Sequence, residues 1–76
     1  MAEQHVELRL SGVEALVLFD WLARFNASDP TFEDQAEQRA LWNLEAVLER
    51  ELVAPLAADY GEQLADARQR LRDSTE

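Results

Sequence analysis

His5-Val6-Glu7-Leu8-Arg9-Leu10, running directly into Ser11-Gly12-Val13-Glu14, is the stretch on which the fold turns. Val6, Leu8 and Leu10 alternate with His5, Glu7 and Arg9, the period of two that marks a strand with one apolar and one wet side. Ser11 and Glu14 then stand at the capping-box spacing, in which each side chain accepts a free backbone N–H of a helix's first turn. This pattern predicts a strand over 5–10 and a helix over 12–26. A lone strand leaves N–H and C=O groups unpaired along both edges and is not stable in water. Elsewhere the chain offers only Leu52-Val53-Ala54, which is too short and too close to a helix to serve as its mate. The simplest mate is the same segment of a second copy, met across a two-fold axis.

Working outward, the first helix carries Ala15, Leu16, Leu18, Phe19, Leu22, Ala23 and Phe25 over about half its circumference. Val17 and Trp21 fall on the remaining side, among Glu14, Asp20 and Arg24. A helix apolar on so many sides is expected at the centre of the fold, with Val17 and Trp21 turned to a second subunit. Asp29-Pro30 stops it, because proline disfavours helical geometry in the residue before it. A second helix is expected over 32–52, opened by the cap spacing of Thr31 and Asp34. Ala40, Leu41, Leu44, Val47, Leu48 and Leu52 form its apolar stripe. Pro55 interrupts, and Leu56-Ala57-Ala58 reads as a short connection. Asp59 and Glu62 signal a third helix over 59–72, with Tyr60, Leu64, Ala67 and Leu71 on one side, and 73–76 should fray. The expected fold is mainly α with one short N-terminal β-strand, in the order strand-helix-helix-helix. It is a single domain over 1–76, dimeric through the strand and first helix. Val6, Leu8, Leu10, Val17 and Trp21 are the expected dimer contacts.

A chain of 76 residues has material for one core only, and oligomerisation is a common supplement when disulfides and metals are absent. It contains no cysteine, which removes disulfides and thiolate zinc sites. Sixteen acids against seven bases leave a net charge of −9, a field that repels phosphate backbones and anionic membranes alike. The longest apolar run, Ala15 to Phe19, falls far short of the roughly 20 residues that span a bilayer. Met1-Ala2-Glu3-Gln4-His5 lacks the basic start and apolar run of a secretory signal, so a cytoplasmic location is the expectation. All seven bases are arginine and twelve residues are alanine, a bias towards GC-rich codons that suggests a bacterial source.

The inventory for chemistry is thin. Ser11 and Thr31 stand at expected helix caps, and the single His5 is on the strand, so no nucleophile has a base beside it in sequence. Glu3, His5 and Glu7 share one strand face but form a weak ligand set without a second histidine. Glu33, Glu37, Glu45 and Glu49 lack the Glu-x-x-His spacing of di-iron bundles. No enzyme, cofactor or metal is expected. The second helix is the conspicuous region. Residues 27–51 hold seven acids against Arg39 and Arg50, and Trp42 lies off the apolar stripe with Glu45 and Glu49 nearby. An aromatic ringed by carboxylates suits a basic protein partner, with Trp42, Glu45 and Glu49 as the anchor.

Over residues 5–52, the strand with Val6, Leu8 and Leu10 buried, then a capped helix and a second helix, resembles the ribbon-helix-helix repressors and antitoxins. The resemblance implies a dimer whose two paired strands enter the DNA major groove. This chain departs from that pattern in three places. Glu7 occupies an outward reading position, Phe32-Glu33-Asp34 stands where the family carries a glycine-containing phosphate grip, and a third helix is added. The expected function is therefore a small acidic, non-enzymatic protein acting through protein–protein contact, as regulator, inhibitor or accessory subunit. A ribbon-helix-helix-like DNA-binding dimer is the alternative.

Overall fold

A computed structural model describes residues 4–52 and 58–73. Three helices make up its regular structure: α1 (Gly12–Ala27), α2 (Gln35–Glu51) and α3 (Tyr60–Arg72). Val53 and Ala54 of the short Leu52–Ala54 segment, most of the connection expected at 56–58 and the last residues of the tail lie outside the described residues, as does Glu3.

The start of α1 forms as its spacing requires. Ser11 Oγ accepts from the Glu14 N–H at 3.1 Å, and Glu14 Oε1 accepts from the Ser11 N–H at 2.9 Å. Removing the hydroxyl leaves the Glu14 N–H without its acceptor, while the backbone N–H at position 11 can still donate to the Glu14 carboxylate. Ser11→Ala should therefore lower stability by about 1 kcal/mol, read from a urea titration of the helical signal. At the other end, the Ser28 N–H and hydroxyl both donate to the Phe25 carbonyl. Asp29 then turns into the left-handed region at φ 59°, which aspartate tolerates better than most residues, and Pro30 follows.

The other two helix starts differ from expectation, and for identifiable reasons. Helix α2 begins at Gln35 rather than 32, capped by Asp34, whose carboxylate accepts from the Ala36 N–H at 2.7 Å. Phe32 packs edge-on against Phe25 with ring centroids 6.0 Å apart, which ties residues 31–33 to α1 and moves the cap from Thr31 to Asp34. Asp59 precedes α3 but its carboxylate caps no backbone N–H. It accepts from the Gln63 side chain at 2.7 Å instead, and its ψ of 32° is not the extended geometry a capping residue needs.

Helix α1 is central, as its apolar circumference predicts, and the packing of both other helices runs through it. On one side Leu16 meets Leu64 and Ala67 of α3, with Val13, Val17 and Tyr60 closing around them. On the other, Phe19 and Leu22 meet Leu48 of α2, with Leu41, Leu44 and Leu52 at the margin. The two apolar clusters are separate, and each is small.

No strand is present among the described residues. Residues 4–10 carry no regular structure in the single chain, so the expected strand at 5–10 is not formed there. The physical reason is the one its sequence already contains: a ladder needs a second edge, and none of the described residues supplies one.

Candidate functional site

Val6 is 79% exposed and Leu8 74%, with Leu10 43%, so the apolar side of the N-terminal segment is largely in water. It lies beside α2. Val6, Leu8 and Leu10 form one wall of an open groove of about 320 Å³, and Leu44, Val47 and Leu48 form the other. Val47 belongs to the expected α2 stripe, yet it stays 42% exposed and Ala40 is exposed too. Helix α1 covers only the Leu41–Leu44–Leu48–Leu52 part of that stripe, leaving a shoulder towards the N-terminal segment. Sequence periodicity identified the stripe; its width exceeds what one neighbouring helix can cover.

The other two expected dimer contacts sit elsewhere. Val17 packs within its own chain against the α3 cluster. Trp21 is 45% exposed and stacks on Phe25 at 4.8 Å with the rings nearly parallel. The structure thus brings Val6, Leu8 and Leu10 together with Val47 rather than with Val17.

On the opposite flank of α2, Trp42 is 47% exposed and Glu49, two turns later, is also exposed. Glu45 is half-buried and braced against α1: Asn26 Nδ2 donates to its Oε1 at 2.7 Å. The Asn26 Oδ1 beside it is buried without a hydrogen-bond partner among the described residues. Of the three expected anchor residues, Trp42 and Glu49 are free to meet a partner, while Glu45 has a structural contact.

One junction is signalled only in part by the local sequence. Asp20 on α1 accepts from three donors at once. The Tyr60 hydroxyl reaches Oδ1 at 2.9 Å, and Arg24 Nε and Arg68 Nη2 reach Oδ2 at 2.9 and 3.1 Å. The acid-first spacing made Arg24 foreseeable, as it did the exposed Asp66–Arg70 pair at 2.8 Å. Tyr60 and Arg68, which tie α3 to α1, come from 40 and 48 residues away. Burial opposes ionisation of Asp20. The bonds from Arg24 and Tyr60 and the charges of Arg24 and Arg68 outweigh it, so the carboxyl is held below the ordinary aspartate range. Burial and the bond to that carboxylate push the Tyr60 hydroxyl up to about 12.

Asp20→Ala should therefore loosen α3, at about 1–3 kcal/mol, whereas Arg24→Ala, a largely exposed partner, should change stability by at most about 0.5 kcal/mol. The pH dependence follows in sign. Asp20 has a lowered pKa, so its contribution is complete above the ordinary aspartate value and is lost as pH falls through the lower folded value. Tyr60 has a raised one, so its contribution is complete below the ordinary tyrosine value and is lost as pH rises through about 12. Melting temperatures should show a plateau from about pH 5 to pH 9, and Asp20→Ala should lower that plateau most and weaken the acid limb.

Among the described residues no group of three or more His, Asp or Glu side chains is placed to hold a metal ion. No helix there is long and apolar enough to cross a membrane. Compared with known proteins, the chain matches no family model, no curated protein and no solved structure.

Proposed function

We propose that this chain is a non-enzymatic protein-interaction module, a homodimer joined through residues 5–10 that offers the acidic flank of α2 to a basic protein partner. The observation that carries the reading is the exposure of Val6, Leu8 and Leu10 on a segment that alternates like a strand and lies beside the uncovered Val47 shoulder. Isolated apolar side chains on a surface need no explanation, but an alternating run next to a second apolar edge is what an interface core looks like before it closes. Strand pairing between two copies would satisfy the backbone groups along one edge of each segment and bring the two apolar runs together.

The decisive measurement is the mass in solution. A dimer of twice the 8.7 kDa chain mass at micromolar concentration is expected; a chain that stays at 8.7 kDa at several hundred micromolar overturns the reading. Trp42 and Glu49 support the partner half: a desolvated aromatic beside carboxylates gives affinity, and the net charge of −9 steers a cationic surface towards it. An arginine-rich peptide should bind at low salt, and Trp42→Ala with Glu49→Gln should weaken it about tenfold. Equal binding by that variant would discard the α2 flank as the site.

A further inference from the structure

We infer that the partner for residues 5–10 is the same segment of a second copy, paired antiparallel in a register centred on Leu8. This rests on the dimer reading above and specifies its geometry. Two-fold antiparallel pairing sets each residue opposite one fixed mate, and directly opposed residues point to the same face of the ribbon. A centre lying between two residues would set apolar against polar on both faces, so the alternation of Val6, Leu8 and Leu10 with His5, Glu7 and Arg9 requires a centre on a residue.

Five such centres exist from Val6 to Leu10, and the charges and apolar pairings each creates separate them. A centre on Glu7 opposes two carboxylates, and one on Arg9 opposes two guanidinium groups. Centring on Val6 sets Leu8 against Gln4, and centring on Leu10 sets Leu8 against Gly12, the first residue of α1. With Leu8 on the axis, every pairing fits. Leu8 faces the partner's Leu8, Val6 faces the partner's Leu10, and on the other side Glu7 faces the partner's Arg9, each of these last pairs occurring twice. A parallel arrangement would instead bring Glu7 beside the partner's Glu7. A two-stranded ribbon is marginal alone, and the apolar wall formed by Leu44, Val47 and Leu48 gives it the floor it needs.

Because the protein has no cysteine, single-cysteine variants report the register directly. Leu8→Cys should oxidise almost entirely to a disulfide-linked dimer, since the two positions are direct neighbours. Val6→Cys alone and Leu10→Cys alone should stay unlinked, because each stands four residues out of register with its own copy, about 13 Å away. A mixture of the two should form the mixed disulfide, identified by mass. Glu7→Arg and Arg9→Glu should each raise the dimer dissociation constant about tenfold by creating like-charge pairs, and the double variant should restore it. A dimeric mass with strong self-linking of Val6→Cys or Leu10→Cys, and none at position 8, would overturn this register while leaving the dimer standing. A monomeric mass for every variant, with no cross-linking, would remove the dimer itself.

Discussion

Leu22→Ala is expected to be among the most destabilising single substitutions in this chain. Leu22 is 1% exposed, the most deeply buried large side chain, and it joins Phe19 and Leu48 in the cluster that docks α2 on α1. Truncating such a leucine costs about 2–5 kcal/mol, from lost transfer energy and from the cavity left behind. A domain of 76 residues holds roughly 4–11 kcal/mol in total, at about 0.05–0.15 kcal/mol per residue. The substitution therefore removes from about a fifth to all of the stability, and a urea titration followed by circular dichroism will show it as a large fall in midpoint. Leu71→Ala, at a 39% exposed position, should lower stability by less than about 1 kcal/mol in the same titration. Equal effects at the two positions would mean that the docking of α2 does not depend on Leu22.

Leu8→Asp should produce the opposite combination, an intact fold and a broken assembly. Within its own chain Leu8 is 74% exposed, so the helical signal and the urea midpoint of the monomer should hardly move. In the proposed dimer both copies of the side chain are buried against each other. Each leucine buried is worth about 1.5–3 kcal/mol, and two carboxylates facing across the axis add repulsion. The dissociation constant should rise at least about 100-fold, seen by light scattering as a drop from the dimer mass to 8.7 kDa at equal concentration. A variant that remains dimeric would exclude residues 5–10 as the joint.

How far the sequence could be read depended on the distance between interacting residues. The Ser11–Glu14 box, the stop at Asp29-Pro30 and the Asp20–Arg24 pair are settled within four residues, and all three form as their spacing requires. The start of α2 was expected from the Thr31–Asp34 spacing, whereas Asp34 is the residue that caps it. The choice fell to a tertiary contact, Phe32 against Phe25, that no local pattern encodes. The same limit hid the contacts of Tyr60 and Arg68 with Asp20, since an arginine late in α3 is equally well explained by the helix dipole. Val17 and Val47 exchanged expectations: α3 covers the first, and nothing in α1 covers the second. Alternation at 5–10 was plain in the letters, but pairing is a property of two edges and one chain contributes only one.

Having both apolar clusters anchored on α1 has a bearing on how the molecule comes apart. Detaching the C-terminal arm uncovers Leu16, Leu64 and Ala67 while Phe19, Leu22 and Leu48 remain in contact, so partial opening is available well short of global unfolding. Amide exchange would then be fastest in that arm and slowest along the middle turns of the shared helix, a gradient imposed by connectivity alone.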